Sequence, residues 1–344
     1  MESHSRLITT MALEVTKRCP LSCFYCYNVN DNDRDTVEIT TAQWVQIIEN
    51  LPKLKMGIIT GGEPLLRKDI FTIIRKLATI TENQILLTSG QIMSDEIASR
   101  VTDADIALQV QVSDIGARYD ENSRSKGAFK RLERSIITFN KHNLLFTTSI
   151  VISKSNLNRL ESILSFHMAA GSSHVLAIRY IPQIGQKDLG EKGLTISDYK
   201  YMLMRLNRFS KKNNLPISLG IPNLPCVALI EDYKEINMPH CNAGNDYYAV
   251  DELGRLKICP HHITPGLSLL DVSFEEALEG LREVIIKNKK LPGKCEECSF
   301  VNKCRGGCRS GALSSARVGD PVCSVQSTNK SKASYRDPDP LLRK

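Results

Sequence analysis

Three cysteines near the amino terminus stand at spacing C-x3-C-x2-C: Cys19, Cys23 and Cys26. Thiolates are soft ligands that suit iron–sulfur clusters. Three of them on a four-iron cubane leave one iron without a protein ligand. An iron in that state can bind and reduce a small molecule. A second set lies toward the other end, with Cys241, x17, Cys259, then Cys295-x2-Cys298-x5-Cys304-x3-Cys308, and Cys323. Cys226 is the eleventh and last thiol. Disulfides and structural zinc are the competing readings of such a set. The amino-terminal stretch Met1-Glu-Ser-His-Ser-Arg lacks the apolar core of a signal peptide, so a cytoplasmic chain with metal-binding thiols is the expectation.

Composition sets the frame for those groups. The chain has 344 residues, 42% of them hydrophobic, enough for one large or two medium domains. No apolar run approaches the ~18 residues that span a membrane. Net charge is +7, but Lys and Arg are spread along the chain without interleaved aromatics, so no nucleic-acid partner is expected.

The elements that must position the thiols follow from periodicity. Apolar, β-branched runs over 11–16, 56–60, 84–88, 106–112, 145–152 and 175–181 alternate with helical patterns such as Trp44, Ile47, Ile48 and Leu51. Six β-then-α repeats imply a parallel sheet with helices outside, an α/β partial (β/α)6 barrel of the TIM type. Functional groups in such folds gather at the carboxyl ends of the strands. The first strand runs into the cysteine loop, the second into Gly61-Gly62-Glu63-Pro64, the third into Ser89-Gly90, the fourth into Ser113-Asp114. A helix over 199–209 follows, whose Met202 and Met204 read as packing. From about 216 the period breaks down, and a small cysteine-rich iron–sulfur domain held by metal is expected. The expected boundaries are 8–190 for the barrel, 191–215 for a bridging helix, 216–325 for the small domain and 326–344 for a tail.

Spacing, the aromatic Tyr25 and the position after the first strand resemble the radical S-adenosylmethionine (radical SAM) family. Gly61-Gly62-Glu63-Pro64 matches that family's GGEP motif. The carboxyl-terminal cysteines, with Gly254 five residues before Cys259, resemble the seven-cysteine SPASM pattern. The resemblance covers roughly 8–325 and implies S-adenosylmethionine plus three [4Fe–4S] clusters, one catalytic and two auxiliary. It implies reductive cleavage of S-adenosylmethionine to a 5′-deoxyadenosyl radical that takes a hydrogen atom from substrate. Cys19, Cys23 and Cys26 would hold the catalytic cluster. Gly61, Gly62 and Glu63 would meet the methionine amine, Ser113 the ribose or carboxylate, Arg124 the carboxylate, and Tyr25 and Ile181 the adenine. Asp114 stands one place earlier than the family's Ser-x-Asp pattern puts its acid. By motif position Cys241, Cys259 and Cys308 bind the nearer auxiliary cluster, and Cys295, Cys298, Cys304 and Cys323 the farther. Cys226 then remains as the candidate fourth ligand of the nearer one, with a buried inert thiol as the alternative. His240, His261 and His262 read as surface groups or neighbours of the ligands.

The resemblance points to oxidative modification of a ribosomally made peptide by crosslink, dehydrogenation or rearrangement. Maturation of a side chain on a folded protein, oxidation of a small metabolite and a non-catalytic electron carrier are the alternatives. An external one-electron reductant of flavodoxin or ferredoxin type is expected. Because about ten residues precede the first strand, no leader-binding domain is expected there, and the peptide is expected to be held by the barrel mouth or by a separate leader-peptide-binding protein. No acid or base is assigned; Tyr180, Tyr199 and Asp114 are candidates.

Overall fold

The computed structural model describes residues 8–28, 37–182, 189–262, 264–287, 291, 293–314, 320 and 322. Six strands and six helices alternate as the sequence pattern predicts: β1 (Thr10–Glu14), α1 (Thr41–Glu49), β2 (Leu54–Thr60), α2 (Ile70–Ala78), β3 (Thr81–Thr88), α3 (Asp95–Asp103), β4 (Ala107–Gln111), α4 (Gly116–Ser123), α5 (Ala128–Lys141), β5 (Phe146–Ile152), α6 (Leu160–Ala169) and β6 (Val175–Arg179). Local chemistry sets the helix starts. Thr40 and Gln43 form a reciprocal capping box ahead of α1. The Ser94 hydroxyl accepts from the Ile97 amide ahead of α3, whose first turn carries Asp95 and Glu96 against the helix dipole. Helix α2 turns Ile70, Phe71, Ile73, Ile74 and Leu77 inward. Burying each such side chain stabilises the fold by roughly 1.5–3 kcal/mol.

Strands β1 to β6 pair in parallel in sequence order, with Thr10 opposite Met56 and Thr148 opposite Val175. Their carboxyl ends therefore share one rim, and the cysteine loop and the Gly61–Glu63 turn lie on it.

Beyond β6 come α7 (Leu189–Lys192), α8 (Ile196–Asn213), β7 (Ile217–Leu219), β8 (Ile236–Asn237), β9 (Tyr247–Val250), β10 (Leu256–Lys257), α9 (Phe274–Lys287), α10 (Gly293–Glu296), α11 (Val301–Cys304) and α12 (Arg309–Ser314). The late strands lengthen the same sheet. Strands β7 and β8 add beside β6, while β9 pairs in parallel with β1 and carries β10, giving the order β10-β9-β1-β2-β3-β4-β5-β6-β7-β8. The region after 216 was expected to lack a core. Instead Tyr248, Val250, Leu256, Phe274, Ala277 and Leu281 pack into the main core with Trp44 and Ile47. Helix α8 covers the other half of the sheet through Tyr199, Met202, Leu203 and Leu206. Met202 is buried as packing, whereas Met204 is exposed. No described helix is long and apolar enough to cross a membrane.

Candidate active site

The cysteine loop is clamped on both sides by backbone. After β1, the chain over 16–18 lies against the turn that follows β2. The Gly62 amide donates to the Thr16 carbonyl at 2.6 Å and the Glu63 amide to the Arg18 carbonyl at 2.7 Å. The glycines are required by this approach. A Cβ on Gly62 would stand 2.2 Å from the Arg18 oxygen, and one on Gly61, at φ +133°, 2.3 Å from the Thr16 oxygen. On the far side, the Ser22 amide donates to the Ser123 carbonyl and the Phe24 amide to Asn122, each at 3.0 Å, so the end of α4 holds the loop. The Cys26 amide closes a turn onto the Cys23 carbonyl at 3.1 Å. Burial, together with the neighbouring Cys26 and Cys19 thiols, pushes Cys23 up to about 12. The three sulfurs thus share one neighbourhood.

Glu63 was expected to meet a ligand amine, and the structure gives its carboxylate other work. It is fully buried and accepts from the Thr88 hydroxyl at 2.9 Å, the Ser89 amide at 2.7 Å, the Ser89 hydroxyl at 2.5 Å and the Leu65 amide at 3.3 Å. Desolvation raises its pKa while these donors oppose the rise. Glu63 therefore pins the Gly61–Gly62 turn to the end of β3.

Tyr25 and Ser113 come together. The Tyr25 phenol is pushed well above its ordinary value by burial and by the Cys23 and Tyr119 charges, with Ser113 as a hydrogen-bond partner. Ser113, just past β4, also accepts from the Gln111 amide nitrogen at 2.5 Å and the Val151 amide at 2.9 Å. Asp114 is fully buried; it pairs with the Arg159 guanidinium at 2.5 Å and accepts from Asn122 at 3.0 Å. That engagement makes it a structural anion. Arg124 is exposed at the left-handed end of α4, next to the carbonyls that hold the cysteine loop. Ile181 is buried past β6 against Ile221 and Cys308. Of the candidate acids and bases, Tyr199 is buried with its hydroxyl on Asn223, and buried Tyr180 packs near Phe24.

The later thiols sort into two neighbourhoods. Cys259 senses Cys241, and Cys308 senses Cys259; burial pushes Cys259 up to about 11 and Cys308 up to about 12. Cys304 instead senses Cys226 and Cys295. Cys226, expected to complete the set of Cys241, Cys259 and Cys308, is exposed and acts on Cys304, and nearby Leu224 stands against Gly307, between Cys304 and Cys308. Gly254, at φ +79°, is needed where the β9–β10 turn meets α1: its Cβ would lie 2.9 Å from Ile47 Cδ1. Cys298 is partly buried, and Cys323 and the 326–344 tail lie outside the described residues. Among the described residues no three donors converge as a single-ion site.

Sequence reasoning missed a bridge between the two metal regions. Tyr27, after Cys26, stacks on His261, after Cys259, with centroids 4.8 Å apart. Beneath it Lys257 donates to Glu14 at 2.7 Å and to the Pro260 carbonyl at 3.0 Å. Burial, with Lys257 nearby, drives His261 down to about 4. His262 is buried and His261 half-buried, whereas His240 is exposed. No sequence pattern marks Tyr27, since its partner lies far along the chain.

The donor set at the barrel rim fits an iron–sulfur cluster: three partly buried thiols, with Cys19 and Cys26 both acting on Cys23. Residues 13–167 match the model of the Radical SAM superfamily. The PqqA peptide cyclase of Methylocella silvestris is 29% identical over 331 residues, covering 90% of this chain and 86% of that protein. An AdoMet-dependent heme synthase of Oleidesulfovibrio alaskensis is 21% identical over 359 residues, covering 97% and 91%. Among solved structures, Streptococcus suis SuiB bound to S-adenosylmethionine superposes with TM-score 0.75 at 15% identity, covering 93% of this chain and 78% of that one. The matched region begins in β1 and spans the cysteine loop, the Gly61–Glu63 turn and Ser113, so this part of the chain is a radical SAM domain, and the chain is an enzyme.

Proposed function

We propose that this enzyme oxidatively modifies a ribosomally made peptide, by crosslink, dehydrogenation or rearrangement. The observation that carries the reading is the likeness to PqqA peptide cyclases along nine-tenths of the chain. When bound, a cluster on Cys19, Cys23 and Cys26 supplies one low-potential electron, drawn from an external flavodoxin- or ferredoxin-type donor, to cleave S-adenosylmethionine into methionine and a 5′-deoxyadenosyl radical. The substrate loses a hydrogen atom to that radical, then one electron and one proton.

The chain's own residues bind and orient. The Gly61–Gly62 turn, held by Glu63, presents backbone at the rim beside the thiols, where the methionine amine is received. Arg124 stands on the same loop contact, and its exposed guanidinium suits a carboxylate. Tyr25 and Ser113 wall the site toward β4, while Ile181 closes it past β6. Cys241, Cys259 and Cys308 form one auxiliary [4Fe–4S] donor set; Cys295, Cys298, Cys304 and Cys323 form the other, with Cys226 beside it. Clusters held by these thiols would supply an acceptor for the second electron. The domain limits of the sequence reading, 8–190, 191–215 and 216–325, describe this division of labour, although the sheet runs through the first and the last.

A second reading, oxidation of a small metabolite, is favoured by the heme synthases that align over the whole chain. Anaerobically reconstituted enzyme, supplied with S-adenosylmethionine, reductant and candidate peptides encoded nearby, separates the two. The proposal expects 5′-deoxyadenosine together with a peptide two mass units lighter for a crosslink or dehydrogenation, or of unchanged mass with altered fragmentation for a rearrangement. A Cys19→Ala, Cys23→Ala, Cys26→Ala variant should make no 5′-deoxyadenosine and keep about eight of about twelve irons. Turnover of a porphyrin-type metabolite with every peptide inert would overturn the peptide reading, and 5′-deoxyadenosine from the triple variant would overturn the site.

A further inference from the structure

The most deeply buried of the described ion pairs joins Arg179, at the end of β6, to Asp320, with side chains 2% and 0% exposed. Nothing in the barrel requires it. Asp320 faces the second metal region and there holds backbone. Its Oδ2 accepts from the Cys308 amide at 2.7 Å, the same oxygen that meets Arg179, and its Oδ1 accepts from the Val322 amide at 3.0 Å. Its own amide donates to the Gly306 carbonyl at 3.2 Å. The chain at Gly307 is bent around this carboxylate. At φ +79° a Cβ there would stand 2.6 Å from Asp320 Cβ and 2.8 Å from Oδ2, so only glycine lets Cys308 reach this position.

Arg179 brings a second, independent feature. Its Nε–H is buried and has no acceptor among the described residues. An orphaned guanidinium N–H is costly unless something accepts it. The sulfur-rich site at Cys308 lies close enough for the Arg179 charge to act on that thiol.

We propose that Arg179 and Asp320 are positioning residues for the auxiliary cluster that Cys308 ligates. Asp320 fixes the Cys308 backbone, so the thiol is held before iron arrives. Arg179 ties this fixture to the sixth barrel strand, balances the carboxylate, and offers its remaining N–H to the sulfur of the loaded site. Hydrogen bonds and net charge at the sulfurs set the potential of such clusters, so the pair also tunes how readily the site takes an electron. The inference rests on Cys308 being a cluster ligand, as argued above.

The test uses full-length enzyme reconstituted anaerobically, with iron and sulfide counted and the auxiliary potentials followed by electron paramagnetic resonance during redox titration. Asp320→Asn should fall about four irons short of the about twelve in the parent. Arg179→Lys keeps charge but not the planar fork; it should retain iron and move one auxiliary potential negative, leaving the other unchanged. Arg179→Met with Asp320→Leu removes both charges and is expected to fold, because an apolar pair can replace a buried ion pair. That double variant should still lack one cluster, as nothing holds the Cys308 amide. A full complement of iron in the double variant would reduce the pair to a folding role and overturn the inference. So would Asp320→Asn with parental iron and potentials. A parent enzyme holding only about four irons would instead overturn the auxiliary-cluster reading itself.

Discussion

Glu63→Gln separates two roles for the acid of the Gly-Gly-Glu turn. The carboxylate offers four acceptor sites, and both its oxygens are used: Oε1 receives the Leu65 amide and Oε2 the Ser89 amide. A glutamine replaces one oxygen by an NH2 group. Whichever way the amide is turned, one backbone N–H then faces a donor in a fully buried place. An unsatisfied buried donor costs about 1–3 kcal/mol, so about 2 kcal/mol is a fair central figure. Unfolding entropy near 2.1 cal/mol/K per residue gives roughly 0.7 kcal/mol/K over the 344 residues. The melting midpoint of reconstituted enzyme without S-adenosylmethionine should therefore drop by about 3 °C. Cofactor affinity should weaken as well, because the Gly61–Gly62 turn loses its anchor on β3. The two effects travel together if Glu63 acts through the turn. Calorimetry gives the first quantity and equilibrium dialysis of S-adenosylmethionine the second. An unchanged midpoint with a large loss of affinity would refute this reasoning and return the carboxylate to direct contact with ligand.

Gly62→Ala should be harsher than Glu63→Gln. Its Cβ has backbone, not a movable side chain, at 2.2 Å, so iron bound at the first cluster should fall with stability; parental iron content would count against the clamp. His167 supplies a pH dependence. Buried between the Thr148 hydroxyl and the Val112 carbonyl, it is pushed down to about 4 by desolvation. The folded state thus resists protonation that the unfolded chain accepts below about 6.5, and stability is full above that pH and lost as pH falls toward 4. The full span amounts to about 3 kcal/mol, of which about 2 kcal/mol falls between pH 7 and pH 5, where denaturant titration measures it, and His167→Gln should flatten the slope between them. Arg159→Met should leave the Asp114 carboxylate buried without its cation. A loss of about 3 kcal/mol is expected, and a parental midpoint in denaturant titration would contradict it.

The barrel was legible because each of its strands is a β-branched run of five to eight residues, long enough for a pattern, and each following helix turns an apolar face inward. The strands β7 to β10 were not, since segments of two to four residues carry no period. Tertiary pairing alone makes Tyr247–Val250 a strand, by offering the open edge of β1. That same pairing explains why a region that read as coreless shares the core with Trp44. At the site, residue types and spacing disclosed the thiols and the glycine turn, but not what the turn approaches. Sequence suggested a ligand, and the Cβ clearances name the Thr16 and Arg18 carbonyls. Glu63 was visible as an acid, while its partners Thr88 and Ser89 belong to another strand. Asp320 and Tyr27 carried no signal at all, because the ion pair of the one with Arg179 and the ring contact of the other with His261 join residues more than a hundred positions apart.

The placement of β9 against β1 bears on how the polypeptide matures during synthesis. Thr10 emerges from the ribosome early and waits for Tyr247, so the outer margin of the first strand remains bare while the other barrel strands assemble. A bare margin of that kind invites pairing with other nascent chains. The loop bearing Cys19, Cys23 and Cys26 gains its last neighbour, His261, only when this late strand docks. Iron delivered to the first site before translation reaches that point would meet a half-walled cradle, which makes the distal region a chaperone in cis for the proximal one.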